Sequence, residues 1–350
     1  MKRELMRPEV DTQDFIKFNY WDGGRKGLLS GEALHLDLKR MEMAYHENNK
    51  RELELTRHIS LRQLDPIALL TLKATGSCQF TIPEWLFDRD CPGHYMRRIK
   101  SVALSIPSAA GPQTSINCTV SLLRSSVRKS PEGDYAREGF EDPRFVNYSG
   151  AIQSIVTSSG SNDTGIFETN LRDERILPFE FAGAESTWKL DLPAEHRSFD
   201  YATISDVVMH MRYTARQGVP VTNVTAFLNE LFQEASQSNL GLLFSLRQDF
   251  PAEWAAFVGG AGTQFTATIR KDLFPIFTQG KAVEITRLEL YAQNPANHHS
   301  TGDPGAATTG LNNAAQPQFT ISIPEDPAGP AQVLRRDANS EAFLLIRYTL

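Results

Sequence analysis

Residues Arg97 to Ile106 read RRIKSVALSI, and the fold turns on that run. Val102, Leu104 and Ile106 fall on one side of an extended chain and Ser101, Ala103 and Ser105 on the other, the period of two expected of a half-buried strand. Working outward, CQFTI (Cys78 to Ile82), NCTVSLL (Asn117 to Leu123), TWKLDL (Thr187 to Leu192) and SDVVMHMRYT (Ser205 to Thr214) alternate in the same way. Pro, Gly, Ser and Asn clusters separate them, which is the texture of a β-sandwich.

A helical interlude follows, with Leu228, Leu231 and Phe232 on one face and a second helix opening at Pro251 in RQDFPAEWAAFV. The alternation then returns in QFTATIR, KAVEITRLELYA, QFTISI and EAFLLIRYTL. The later stretch echoes the earlier one: Gln79-Phe80-Thr81, Leu86-Phe87 and RRIKSVALSI are answered in order by Gln264-Phe265-Thr266, Leu273-Phe274 and AVEITRLELY. Arg212-Tyr213-Thr214 likewise matches Arg347-Tyr348-Thr349.

Before the strands the pattern is helical. Ser30 is placed to cap a helix in which Leu34, Leu38, Met41 and Tyr45 form one apolar stripe suited to packing against another helix. Leu53, Leu55 and Ile59 resume that pattern, and a shorter helix is expected from Asp65-Pro66 to Ala74, with Asp65 as cap and Gly76 as stop. The expected fold class is therefore mainly β, β-sandwich-like, read as two related β units joined by helices and preceded by an α-helical hairpin or stalk. The expected boundaries are a lead over 1–27, a helical stalk over 28–76 and a β-rich region over 77–350, divided at 77–216, 217–260 and 261–350.

With 350 residues, 41% of them hydrophobic, the chain can bury a large core, and its 36 basic against 42 acidic residues leave a net charge of −6. That balance, without a charged tail, argues against nucleic acid as the partner. The opening MKRELMRPEVDTQDF lacks the apolar run of a secretory signal, and no window approaches a membrane span. Residues 294–318, rich in Gly, Ala, Asn and Pro, are expected as a long loop in which His298 and His299 have too few companions to hold a metal.

Candidates for chemistry are few. Cys91 and His94 flank a Pro-Gly turn and could form a nucleophilic pair, but no orienting third group is identifiable, and a turn entering a sheet is the stronger reading. Cys78, Cys91 and Cys118 form neither a disulfide framework nor a CxxC metal site. Asp173 and Glu174 are adjacent, so on a strand they face opposite ways and do not make an acid/base pair. The tract from Thr157 to Gly165 lacks a phosphate-loop ending. Arg97, Arg98 and Lys100 are the candidates for contact with an acidic partner, set against a solvated strand edge. A carbohydrate-binding or adhesin-like sandwich would need aromatics converging on one face, with Trp85, Trp188 and Trp254 as the candidates.

Three long segments are more specific. WDGGRKGLLSGEALHLDLKRMEMAYHENNKRELELTRHISL, then LDPIALLTLKATGSCQFTIPEWLFDRDCPGHYMRRIKSVALSIP, then EDPRFVNYSGAIQSIVTSSGSNDTGIFETNLRDERILPFEFAGAESTWKLDLP closely resemble the C-terminal region of the A component of bacterial Tc toxin complexes. The likeness is strong from about Trp21 to Asp272. It implies that the helices from Leu28 to Ala74 are the end of a channel-forming coil and that the β-rich remainder binds the B component of the toxin cocoon. It further implies a secreted five-subunit assembly, a docking role with no bond made or broken, no cofactor, and membrane contact only through a pore region. A family member carries a shell, receptor-binding regions and most of the pore helices besides, so pore formation is not expected of these 350 residues.

Overall fold

The computed structural model describes residues 20–21, 27, 29–48, 52–111, 114, 116–156, 166–167, 179–193, 197–237, 240–260, 263–275, 278, 281–292, 298–300, 318–325, 334–337 and 340–350. It opens on helix α1, Ser30–Asn48. Ser30 is the first helical residue and donates its hydroxyl back to the Gly27 carbonyl at 2.7 Å, so it does not cap as expected. Asp37 and Ala44 are the buried residues among those described in this helix, Asp37 taking hydrogen bonds from Tyr20 at 2.9 Å and Arg40 at 3.2 Å.

The helical pattern does not resume after α1. Leu53–Ser60 is strand β1, because Leu55, Arg57 and Ile59 share one face and Glu54, Thr56 and His58 the other. The four-residue step from Leu55 to Ile59 suits a helix face, but alternation within the segment prevails. Ser60 then caps the short helix α2, Leu61–Leu64, by accepting from the Gln63 amide. Asp65 caps α3, Pro66–Thr75, with Pro66 in its first turn and Gly76 in the left-handed conformation at φ 83° closing it. These three features follow the sequence expectation.

Next come β2 (Ser77–Ile82), α4 (Glu84–Asp88), β3 (His94–Ser105), β4 (Thr119–Arg128), β5 (Phe145–Val156), β6 (Ile166–Phe167), β7 (Glu185–Asp191) and β8 (Val208–Gln217). They form two antiparallel four-stranded sheets, ordered β1-β8-β3-β6 and β2-β7-β4-β5. The sheets share one core, in which Trp188 is wholly buried and meets Phe179 edge-on at 4.9 Å, while Phe87 meets Tyr213 edge-on at 5.1 Å.

Helix α5, Val221–Gln237, lays Val224 and Leu228 against Tyr95, Met96, Val127 and Tyr135. Beyond it lie β9 (Leu240–Ser245), α6 (Leu246–Asp249), α7 (Pro251–Gly259), β10 (Gln264–Arg270), β11 (Glu284–Ala292), β12 (His298–Ser300), β13 (Gln318–Pro324) and β14 (Ala342–Thr349). Sheet β12-β11-β14-β9 and the pair β10-β13 supply a second core containing Trp254, Phe257, Phe265, Phe274 and Tyr348. The helical stretch expected over 217–260 thus contains a strand: the short apolar run at Leu240 pairs with Tyr348, and its length distinguishes it from a helix where its periodicity does not. His298 and His299, expected in a loop, pair with Tyr291 and Leu290.

The two sandwiches share a plan. Order β1-β8-β3 corresponds to β9-β14-β11, and β2-β7 to β10-β13. Ser60-Leu61-Arg62-Gln63 recurs as Ser245-Leu246-Arg247-Gln248, each serine accepting from the glutamine amide, and each run leads to a helix begun by proline. Phe274 meets Tyr348 edge-on at 5.1 Å, as Phe87 meets Tyr213.

The sandwiches join through α3. Ile67 and Leu70 pack on Leu243, Tyr291, Phe343 and Leu345, so β14 is buried on both faces and reads AFLLI without alternation. Lys73 and Glu341 are paired at 3.4 Å in this interface, with the Lys73 ammonium 4.4 Å above the Phe343 ring. Arg62 reaches across to the Leu243 carbonyl at 2.8 Å and to Asp249 at 2.5 Å. Leu70 is fully buried here. Leu70→Ala should therefore lower stability by about 2–5 kcal/mol in urea unfolding; a loss under about 0.5 kcal/mol would mean that the junction is not packed as a core.

Candidate docking site

The turn before β3 carries the candidates. Gly93, at φ 80°, sits where a Cβ would come within 2.6 Å of the Val219 carbonyl oxygen, so the turn needs glycine. Met96 has φ 52°, and the pairing of β3 with β8 slips between Tyr95 and Arg98 and again between Ile99 and Ser101. These bulges re-aim the side chains that follow. On its other side β3 is bonded to the segment around Ala182, with Ile99 donating to the Ala182 carbonyl at 2.7 Å and Ala184 donating to that of Arg97 at 3.2 Å.

Arg97 and Arg98 are consequently interior, not a solvated edge. Arg97 is 4% exposed and donates to Asp88 at 2.5 and 3.2 Å and to Glu84 at 3.2 Å. Glu84 also receives Arg128 at 2.8 and 3.0 Å, Arg128 donates to the Tyr135 carbonyl at 2.8 Å, and the Tyr135 hydroxyl donates to Asp88. Burial opposes the charge on Arg97, but Asp88 and Glu84 outweigh it and hold the guanidinium above its ordinary range. Arg98 points the other way, to Glu52 at 2.8 and 3.0 Å, and Arg216 joins the same carboxylate at 3.3 Å. Lys100 differs: it is half-exposed and bonded to Glu54 at 2.7 Å on the outer face. Of the three, Lys100 is the one whose side chain reaches solvent.

Among the described residues, no hydrogen bond joins Cys91 to His94. The His94 Nδ1 is buried without a partner, and burial, with Arg97 behind it, pulls the imidazole below its ordinary value. Cys78 and Cys118 lie in the first core, where burial pushes both thiols up to about 12. The three tryptophans do not converge: Trp188 belongs to the first core, Trp254 to the second, and Trp85 flanks the α5 contact. Thr157 to Gly165, Asp173 and Glu174 lie outside the described residues.

On α1, Leu34 and Leu38 are 38% and 41% exposed and Met41 is half-buried, while the Tyr45 side chain lies outside the described residues. Leu34 and Leu38 are thus partly exposed within one chain, less so than Leu36 and Met43 of the same helix. Sequence reasoning missed the acidic half of the Arg97 cluster, since Glu84, Asp88, Arg128 and Tyr135 are joined only by the sheet pairing.

The site is thus a β-sandwich in which Arg97, Arg98 and Arg128 are held by internal ion pairs, preceded by a helix with partly exposed leucines. The chain belongs to the family described as the Tc toxin complex TcA C-terminal TcB-binding domain, which matches residues 2–215. It is 36% identical over 224 residues to toxin subunit YenA2 of Yersinia entomophaga, covering 61% of this chain and 16% of that protein. Two solved structures are similar at 22% identity: TcdA4 of Morganella morganii, with TM-score 0.44 over 61% of this chain and 10% of that one, and TcaA-TcaB of Yersinia pseudotuberculosis, with 0.42 over 62% and 12%. The chain therefore spans less than a fifth of the length of these relatives.

Arg97→Met should cost about 3–5 kcal/mol in urea unfolding by leaving Asp88 buried without its cation, and adding Asp88→Leu should recover much of that loss; equal stability of wild type and single variant would show that the cluster is solvated. Ellman's reagent on the native protein at pH 8 should titrate one thiol, Cys91, and Cys91→Ser should abolish that reaction with no change in melting temperature. Rapid reaction of three thiols would contradict the burial of Cys78 and Cys118.

Proposed function

We propose that the first sandwich docks the B component of a Tc toxin and so couples the B–C cocoon to a translocation channel, acting by binding alone. The observation that carries this reading is the family match, which takes in α1 and runs through the first sandwich to Ala215, within the last strand of that unit. Lys100 is the proposed charged contact, with its ammonium near solvent on the outer face of β3. A charge in such a place mainly speeds encounter with an acidic partner, and its effect fades with salt.

The proposed role of α1 is to set a five-fold arrangement. Leu34, Leu38, Met41 and Tyr45 would pack against the same helix of neighbouring copies, as the exposure of Leu34 and Leu38 in one chain favours. In this reading the protein acts outside the producing cell as part of a larger secreted toxin. Among the described residues no helix is long and apolar enough to cross a membrane.

The test is capture of a TcB–TcC cocoon by the full chain at low and high salt. Binding is expected, with Lys100→Glu slowing association at low salt only; no capture under either condition would sink the docking reading. Leu38→Asp with Met41→Asp should lower the mass seen by light scattering, and an unchanged mass would show that the stripe does not mediate association.

A further inference from the structure

The outer face of sheet β2-β7-β4-β5 holds a cavity of about 250 Å³, within the matched residues, to which the docking reading assigns no role. Its floor is laid by strand hydroxyls, Thr81 bonded to Thr187 at 3.1 Å and Ser126 bonded to Asn147 at 2.5 Å. One wall is Arg137, fixed on three sides by Glu185 at 2.9 Å, Asn147 at 2.6 Å and the Gly139 carbonyl at 3.0 Å. The Asn147 amide in turn donates to the Phe140 carbonyl at 2.5 Å, so these polar groups are oriented in advance. Phe140 stands at the mouth, 55% exposed.

The opposite wall is Arg124. The register of β4 slips between Leu122 and Arg124 against both of its neighbours, β5 and β7, a bulge within a central strand that turns this residue out over the cavity. Its Nε donates to Thr187 at 3.2 Å, and among the described residues its guanidinium pairs with no carboxylate. Glu185, the pocket's acid, is already paired with Arg137, and burial, with Glu84 adding to it, holds its carboxyl above the usual range. Among the described residues the terminal N–H groups of Arg124 hold no hydrogen bond, although its charge also reaches Glu185.

We infer that this cavity binds an acidic monosaccharide unit, a sialic or uronic acid, with its carboxylate on Arg124 and its ring on Phe140. The volume lies below the roughly 300–1,000 Å³ of pockets that hold drug-sized ligands and suits a single ring. An acidic amino-acid side chain would satisfy Arg124 but leave the exposed Ser149 hydroxyl, the Ser126 lone pairs and the second Asn147 N–H unused, whereas a polyhydroxylated ring presents donors and acceptors to these remaining groups. A planar guanidinium recognises a carboxylate bidentately, and the exposed face of Phe140 covers the apolar side of the ring.

The experiment is saturation-transfer NMR and calorimetry on the full chain alone, with no cocoon present, so that its outcome bears on the pocket and not on docking. The probes are N-acetylneuraminic acid, glucuronic acid, glucose, galactose and a short Asp/Glu peptide. One of the acid sugars should bind with neutral sugars markedly weaker. Arg124→Ala should weaken it roughly 10- to 100-fold. Phe140→Ala should weaken it several-fold, and both variants should keep the wild-type melting temperature because both side chains are exposed. No transfer to either acid sugar, binding that Arg124→Ala leaves unchanged, or capture of the peptide in place of the sugars would each overturn the inference.

Discussion

Arg97, held between Asp88 and Glu84, is the interaction from which the first sandwich is arranged. It ties the helix after β2 to the start of β3, and through Glu84 and Arg128 it reaches β4 in the facing sheet. Burying charges costs several kcal/mol per ion before pairing offsets it, so the cluster is tolerable only with each partner in place. That requirement constrains the turn at Gly93, the bulge at Met96 and the position of Tyr135, whose ring lies under the Arg128 guanidinium at 4.6 Å. Arg97 and Arg98, which invited a binding role, are residues the sheets need for their own assembly.

The second constraint is the unequal treatment of corresponding faces. On β14 the side chains that point away from the core, Phe343 and Leu345, are covered by α3 of the first sandwich, with Arg62 and Lys73 anchoring the contact at its ends. The matching face of β8 and β1 carries His58 and His210, their rings 4.7 Å apart, with His210 also bonded to Ser105 at 2.7 Å. One face is apolar and the other polar, so the contact made by the first unit on the second has no equivalent in the reverse direction. Two sandwiches of one plan form a defined pair, and the sequence does not favour a continuing stack.

How much of this was legible follows from the range of the interactions. Asp65, Pro66 and Gly76 announced their helix because caps and stops act over a few residues, and the repeated Gln-Phe-Thr and Arg-Tyr-Thr signals proved to lie on corresponding strands. β1 resembles a helix only in the four-residue step from Leu55 to Ile59, and its strand partner β8 is distant in sequence. The burial of Arg98 by Glu52 and the cavity shared by Arg124, Arg137 and Phe140 depend on pairings across three or more strands, which no local pattern encodes. Long ordered stretches carried the family likeness where single motifs could not.

The strand order also governs when each unit can be completed. β8 lies between β1 and β3, pairing Ala215 with Leu53, and β14 lies between β9 and β11, pairing Tyr348 with Leu240. In both sandwiches the last of the described strands in chain order is an inner one, so the earlier strands wait with unpaired edges until it is in place. Such long loop closures make folding slow, and the exposed edges in the interval invite wrong partners. Synthesis of this protein therefore passes twice through a stage in which an open sheet seeks its centre, and chaperones or neighbouring nascent chains meet it most readily at those two moments.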